Sequence, residues 1–206
     1  MNYKAILWDF GGVVTSSPFE AFNEFESAND LPLDLIRTIN SENPDFNAWA
    51  KFESSQVSIE EFDELFFQEA LTKGFQVRGK DIIKLLSGSI RKNMVDFLKE
   101  LKGSYKLGCI TNTVNSQDDL TDKDRQSKKE AMALFDHVVE SSKVGIRKPN
   151  PEIYKMSCLA LSVEPKECIY LDDLGINLKP ARELGMFTIK VVNPEEAIQE
   201  VRNLLK

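Results

Sequence analysis

Five short apolar runs punctuate the chain: Tyr3–Trp8, Tyr105–Ile110, His137–Glu140, Cys168–Leu171 and Phe187–Val192. Each has the length of a buried strand. Between the later runs the apolar positions follow a helical period. Asn150–Leu161 opens with Asn150 as N-cap and Pro151 at the first helical position, where a missing N–H costs nothing. Ile176–Leu184 stops before Gly185, a favourable residue just past a helix end. Pro194–Leu205 makes a last helix. Strands alternating with helices predict an α/β fold, a doubly wound parallel sheet.

The spacing of the runs is uneven. A βαβ unit needs about 30 or more residues. Thr111 to Lys148 spans 37 residues and Lys148 to Asp172 spans 24, whereas Asp9 to Thr111 spans 102. The first crossover therefore carries roughly 60–70 residues beyond one such unit. The surplus reads as helical. Ser58-Ile59-Glu60-Glu61 is a capping box, with Val57 and Phe62 placed for a hydrophobic staple, and Ile59, Phe62, Leu65 and Phe66 follow at helical spacing. Phe19, Phe22 and Phe25 form a second stripe; Phe46, Trp49 and Phe52 form a third. Nine of the 13 phenylalanines fall between Phe19 and Phe75, enough for a small helical core, some of whose rings can also face a substrate pocket.

Composition narrows the chemistry. Hydrophobic residues make up 42% and charged residues 29% of 206 positions, which is ordinary for a globular protein. With one histidine, a multi-histidine metal site is excluded, and a Ser-His-Asp triad would have to use His137. The net charge of −7 and the absence of a basic stripe argue against nucleic acid or an anionic membrane as partner. The lysine-rich run Lys123–Lys129 also carries Asp124 and reads as a solvated helix face. No apolar run approaches the ~20 residues of a membrane span, and no signal-peptide pattern precedes Asp9. Cys109, Cys158 and Cys168 are never spaced C-x-x-C and read as buried thiols of a reducing compartment. A cytoplasmic location is the expectation.

In open α/β sheets, ligands bind beyond the carboxyl ends of the strands. Asp9 and Gly11-Gly12 follow the first run, Thr111 and Asn112 the second, Lys148 lies in the loop after the third, and Asp172 and Asp173 end the fourth. Singly, each has a plain reading: an N-cap, a turn, a solvated lysine. Together they gather three carboxylates, a hydroxyl, an amide and an ammonium at one edge. Asp9 and Asp173 suit a hard cation such as Mg²⁺, which prefers oxygen ligands. Lys148, Thr111 and Asn112 suit a transferring phosphoryl group, and a carboxylate nucleophile can split hydrolysis into two steps through an aspartyl-phosphate.

These stretches carry a resemblance. Trp8-Asp9-Phe10-Gly11-Gly12-Val13-Val14, Cys109-Ile110-Thr111-Asn112, Val144-Gly145-Ile146-Arg147-Lys148-Pro149 and Tyr170-Leu171-Asp172-Asp173 through Arg182 resemble the haloacid dehalogenase-like (HAD) hydrolase superfamily. The last two stretches are similar to the phosphatase domains of soluble epoxide hydrolases and to the HAD domains fused to some acyl-CoA dehydrogenases. The resemblance implies a core at 1–15 and 91–206 with a helical cap at 16–90, inserted after the first strand. It implies Asp9 as nucleophile and Thr111 and Asn112 at the phosphoryl group. Lys148 would steady both nucleophile and phosphoryl charge. Mg²⁺ would sit on Asp9, Asp173 and the backbone carbonyl of Gly11, with Asp172 as ligand or neighbour. The implied partner is a small phosphorylated molecule.

One position departs from the pattern. Phosphatases of this superfamily carry a second aspartate two residues after the nucleophile, to protonate the leaving group and then activate water. Here that position is Gly11. Positioned acid–base catalysis is typically worth ~10²–10⁴-fold. Substrates with good leaving groups, such as a sugar 1-phosphate or an acyl phosphate, would suffer least. Two other readings accommodate Gly11: a 2-haloacid dehalogenase, in which Asp9 attacks carbon, and a binding or regulatory module that keeps the ligand site.

Overall fold

A computed structural model describes residues 2–114 and 122–206. Five parallel strands form one sheet: β1 (Ala5–Trp8), β2 (Lys106–Thr111), β3 (His137–Glu140), β4 (Cys168–Asp172) and β5 (Phe187–Lys190), in the order β3-β2-β1-β4-β5. The switch in winding direction falls at β1, between β2 and β4, so the crevice beyond β1 is where such a sheet binds ligands. Each strand matches an apolar run of the sequence to within two residues at either end. Alternate residues serve opposite faces. Ile6, Trp8, Cys109 and Leu171 enter one core cluster; Ala5, Leu7, Ile110 and Tyr170 enter another.

Six α-helices precede β2 among the described residues: α1 (Pro18–Ala28), α2 (Leu35–Ser41), α3 (Ala48–Glu53), α4 (Ile59–Thr72), α5 (Gly79–Ile83) and α6 (Lys92–Leu101). The last of these packs on the sheet through Met94, Phe97 and Leu98. The first five share a third cluster, built from Phe22, Ile36, Ile39, Phe52, Phe62, Phe66 and Ile82, that draws on no strand. Both halves of the capping box form: Ser58 Oγ accepts from Glu61 N at 3.2 Å and Glu61 Oε2 from Ser58 N at 2.7 Å. Phe46 does not join the apolar stripe expected of it. Asn47 caps α3, accepting from Ala50 N at 2.8 Å, so the helix starts beyond Phe46, which stands 77% exposed.

The insertion leaves and rejoins the core at one crossing. Thr15 and Ile90 form an antiparallel bridge, Ser16 N donates to Ser89 O at 2.8 Å, and Arg91 N donates to Val14 O at 2.9 Å. A side chain at Gly88 would strike the Ser16 carbonyl, so the two passing segments lie in close contact.

After β2 come α7 (Asp122–Met132), α8 (Ser141–Val144), α9 (Pro151–Leu161), α10 (Gly175–Glu183) and α11 (Pro194–Leu204). Asn150 caps α9 with Pro151 at its first position, and Gly185 past α10 sits at φ 98°, in the left-handed region glycine favours. The run Lys123–Lys129 is largely exposed along α7. All three cysteines are free and buried. Among the described residues no helix is long and apolar enough to cross a membrane.

Candidate active site

The polar residues at the strand ends converge. Asp9 follows β1, is 7% exposed, and its Oδ1 accepts from Phe10 N at 2.6 Å. Lys148, reached from the loop before α9, is 1% exposed; its Nζ lies 2.8 Å from Asp9 Oδ1 and 2.9 Å from Asp172 Oδ2. A lysine before a proline is ordinarily solvated, and this one is buried between two carboxylates. Burial alone would favour the neutral amine. Asp172 and Asp9 outweigh it and hold the lysine above its usual range, as an ammonium.

Asp172 is fully buried and its oxygens are committed. Oδ2 accepts from Lys148 Nζ, from Asn177 Nδ2 at 3.1 Å and from the Tyr170 hydroxyl. Oδ1 accepts from Leu174 N at 2.8 Å and Asn177 Nδ2 at 3.0 Å. A carboxylate offers about four lone-pair sites, so these partners exhaust it. Asp172 both holds the turn at Leu174 before α10 and anchors Lys148.

The carboxylates of Asp9, Asp172 and Asp173 each offer an oxygen within 4.8 Å of the others, a grouping able to hold a cation among the described residues. With Asp172 committed, Asp9 and Asp173 have capacity for an ion, and the donors are all oxygen, as a hard divalent cation requires. Burial pushes the Asp173 carboxyl up to about 6, with Asp172 adding to the rise and Lys148 opposing it. Burial also raises Asp9, while Lys148 pulls the other way. Gly12 sits at φ 77° directly against Asp173; Arg91 Nη1 donates to its carbonyl at 2.9 Å. Gly11 is not in the left-handed region, and a Cβ there would meet nothing within 4 Å.

Asp9, Gly11, Thr111, Asn112, Lys148 and Asp173 all line one cleft of about 770 Å³ between the sheet edge and the insertion. Phe19, Phe22 and Trp49 of the insertion face it too. Asn112 pairs with the main chain of Lys148, accepting from its N–H at 2.9 Å and donating to its carbonyl at 3.1 Å. Its Nδ2 also donates to Glu53 Oε2 at 3.2 Å, so both hydrogens of that amide are used within the protein. Glu53, Arg147, Tyr170 and Asn177 brace the site without having been singled out from sequence. The last three lie inside the quoted motifs. Glu53 is one acid among 33 Asp and Glu and carries no signal of its own beyond Trp49 four residues before it.

A model of haloacid dehalogenase-like hydrolases matches residues 3–185. The chain belongs to that family. Mouse acyl-CoA dehydrogenase family member 10 is 32% identical over 99% of the chain, and mouse bifunctional epoxide hydrolase 2 is 38% identical over 56% of it. The chain spans only 19% and 21% of the lengths of these two proteins. Sesquiterpene phosphatase astK of Aspergillus oryzae is 25% identical, with 99% of the chain covering 97% of that protein. Among solved structures, a HAD family enzyme of Bacteroides thetaiotaomicron in complex with magnesium and inorganic phosphate shares the fold. Its TM-score is 0.61 at 22% identity, covering 92% of this chain and 94% of that one. The chain is thus a member of a hydrolase family, with named phosphatases among its relatives.

Proposed function

We propose that the protein is a Mg²⁺-dependent phosphatase that hydrolyses a small phosphorylated metabolite through an aspartyl-phosphate on Asp9. The observation that carries this reading is the buried ammonium of Lys148 between Asp9 and Asp172, at the floor of a cleft that Asp173 and Thr111 also line. The full-length match to a named phosphatase and the magnesium and phosphate held by the structural neighbour support it. Asp9, Asp173 and the Gly11 carbonyl would hold Mg²⁺, which supplies charge to offset the repulsion between carboxylate and phosphate.

The chain's own residues do the rest. Asp9 attacks phosphorus and the ester P–O bond breaks; water then cleaves the acyl phosphate, releasing inorganic phosphate and restoring Asp9. Lys148 favours the ionised form of Asp9 against the burial that raises its carboxyl, and Thr111 donates to the phosphoryl oxygens. Gly11 offers no proton to the leaving group, which favours sugar 1-phosphates and acyl phosphates. Residues 16–90 act as a cap, and the cleft is far larger than a phosphate group, leaving room for the body of the substrate.

A screen of phosphorylated metabolites with and without Mg²⁺ tests the reading, with Asp9→Asn as the control. Phosphate release is expected to vanish with EDTA and in Asp9→Asn, which keeps the shape of the side chain but not its charge. Chloride release from a 2-haloacid that survives EDTA would make the protein a dehalogenase instead. Binding of Mg²⁺ and phosphate with no turnover of any substrate would make it a binding module.

A further inference from the structure

Glu53 closes α3 of the insertion, yet its carboxylate, almost fully buried, reaches the strand ends. Oε2 accepts from Arg147 Nε at 2.7 Å and from Asn112 Nδ2 at 3.2 Å; Oε1 accepts from Trp49 Nε1 at 3.0 Å. Its main-chain carbonyl accepts from Ser141 Oγ at 2.8 Å. Arg147 in turn donates through Nη1 to the Pro44 carbonyl at 2.8 Å, a second tie to the insertion. Asn112 and Arg147 are also the two residues that flank Lys148, one through its N–H and carbonyl and the other through the preceding peptide.

We propose that Glu53 is a positioning residue for the reaction: by fastening Asn112 and Arg147 from the cap, it fixes the main chain of Lys148 and so the ammonium against Asp9. The proposal rests on the phosphatase reading of the site. A charge buried away from water is retained only where partners repay its desolvation. Burial pushes the Glu53 carboxyl up, and Arg147, Trp49 and Lys148 oppose that rise. Its hydrogen-bond partners come from three segments, and a cap lifted away from the sheet separates the carboxylate from Arg147 and Asn112 at once. The site is then complete only with the cap seated.

The test is Glu53→Gln in the full chain, with p-nitrophenyl phosphate and Mg²⁺ for turnover and hydrogen exchange of the Lys148 amide as a readout independent of turnover. The amide should exchange faster, and kcat should fall by about 10–100-fold, the scale set by small misplacements of a positioned group, with KM held within about threefold. Glu53→Asp should recover part of kcat. Ser55→Gly removes a different cap-to-core bond, Ser55 Oγ to Ser142 O at 2.9 Å, at a position with φ 54° that glycine suits; it should change kcat by no more than about twofold. If Glu53→Gln does not fold, Arg147→Gln takes its place with the same expected outcome. Unchanged kcat and unchanged Lys148 exchange would overturn the proposal, and so would a rise in KM alone, which marks a plain wall of the pocket. If the wild type turns over no phosphate ester, the phosphatase reading fails, and the exchange comparison still decides whether Glu53 fixes Lys148.

Discussion

A Cβ at residue 12 would fall about 2.5 Å from Cγ of Asp173, inside any contact distance. Gly12 also holds φ 77°, where a non-glycine residue costs about 1–2 kcal/mol. Gly12→Ala is therefore expected to destabilise the protein by at least that amount and to displace Asp173. Gly11→Ala, with open space and ordinary backbone, should be near neutral. Urea denaturation of both variants, with a Mg²⁺ titration, checks the pair; an alanine at 12 that leaves stability and Mg²⁺ affinity unchanged refutes the contact.

Millimolar Mg²⁺ should raise the melting temperature, by the equivalent of about 2.7 kcal/mol at a hundredfold excess over Kd. Asp173→Ala should remove the effect. The carboxyl of Asp173 is pushed up to about 6 from an ordinary 3.8, so the native state holds its proton more tightly than the unfolded chain does. In EDTA its contribution is therefore favourable at low pH and is lost as pH rises from about 4 to 6. Mg²⁺ competes with that proton, and its stabilisation should fade below about pH 6. Calorimetry across pH 4–8, with and without Mg²⁺, reads both limbs; a Mg²⁺ effect equal at pH 4.5 and 7.5 would contradict the assignment of Asp173.

Lys148→Met keeps length and apolar bulk but leaves Asp9 and Asp172 facing each other without a cation. Removing one partner of a buried ion pair costs about 3–5 kcal/mol. The loss should shrink on acidification, because Asp9, whose carboxyl burial already raises, then takes up a proton more readily once the opposing Lys148 is gone. A denaturation series from pH 5 to 8 measures this, and a pH-independent deficit would mean that the lysine matters for packing alone.

Gly11→Asp should raise phosphatase turnover, most for alkyl phosphates and least for nitrophenyl phosphate, toward the ~10²–10⁴-fold that positioned acid–base catalysis supplies. The backbone raises no objection, since Gly11 avoids the left-handed region and nothing lies within 4 Å of the added Cβ. The two kcat values at saturating Mg²⁺ decide it. A folded, Mg²⁺-binding variant with no gain on either substrate shows that more than the proton donor has diverged.

The sheet was legible because its strands are apolar runs bounded by polar residues, and Asn150, Pro151 and Gly185 mark helix ends by local chemistry alone. Asp9, Thr111, Lys148 and Asp173 were legible as strand-end residues, since topology carries all such ends to one edge. What escaped is what depends on distant partners. Glu53 meets Asn112 across 59 positions and Arg147 across 94, and no periodicity encodes either distance. Nor does sequence reveal that Asp172 is saturated by Tyr170, Leu174, Asn177 and Lys148, which divides the labour between adjacent aspartates. Phe46 misled because a helical stripe ignores the cap residue that starts the helix after it.

The bridged crossing of Thr15 and Ile90 gives the insertion the character of an exchangeable cassette. Its ends enter and leave side by side, so the sheet is indifferent to the length of what lies between them. Another cassette can be carried between the same two ends without re-laying the sheet. On the reading developed for Glu53, that freedom has one condition: the incoming cassette must present a carboxylate to Arg147 and Asn112, or the core must find another way to hold its lysine.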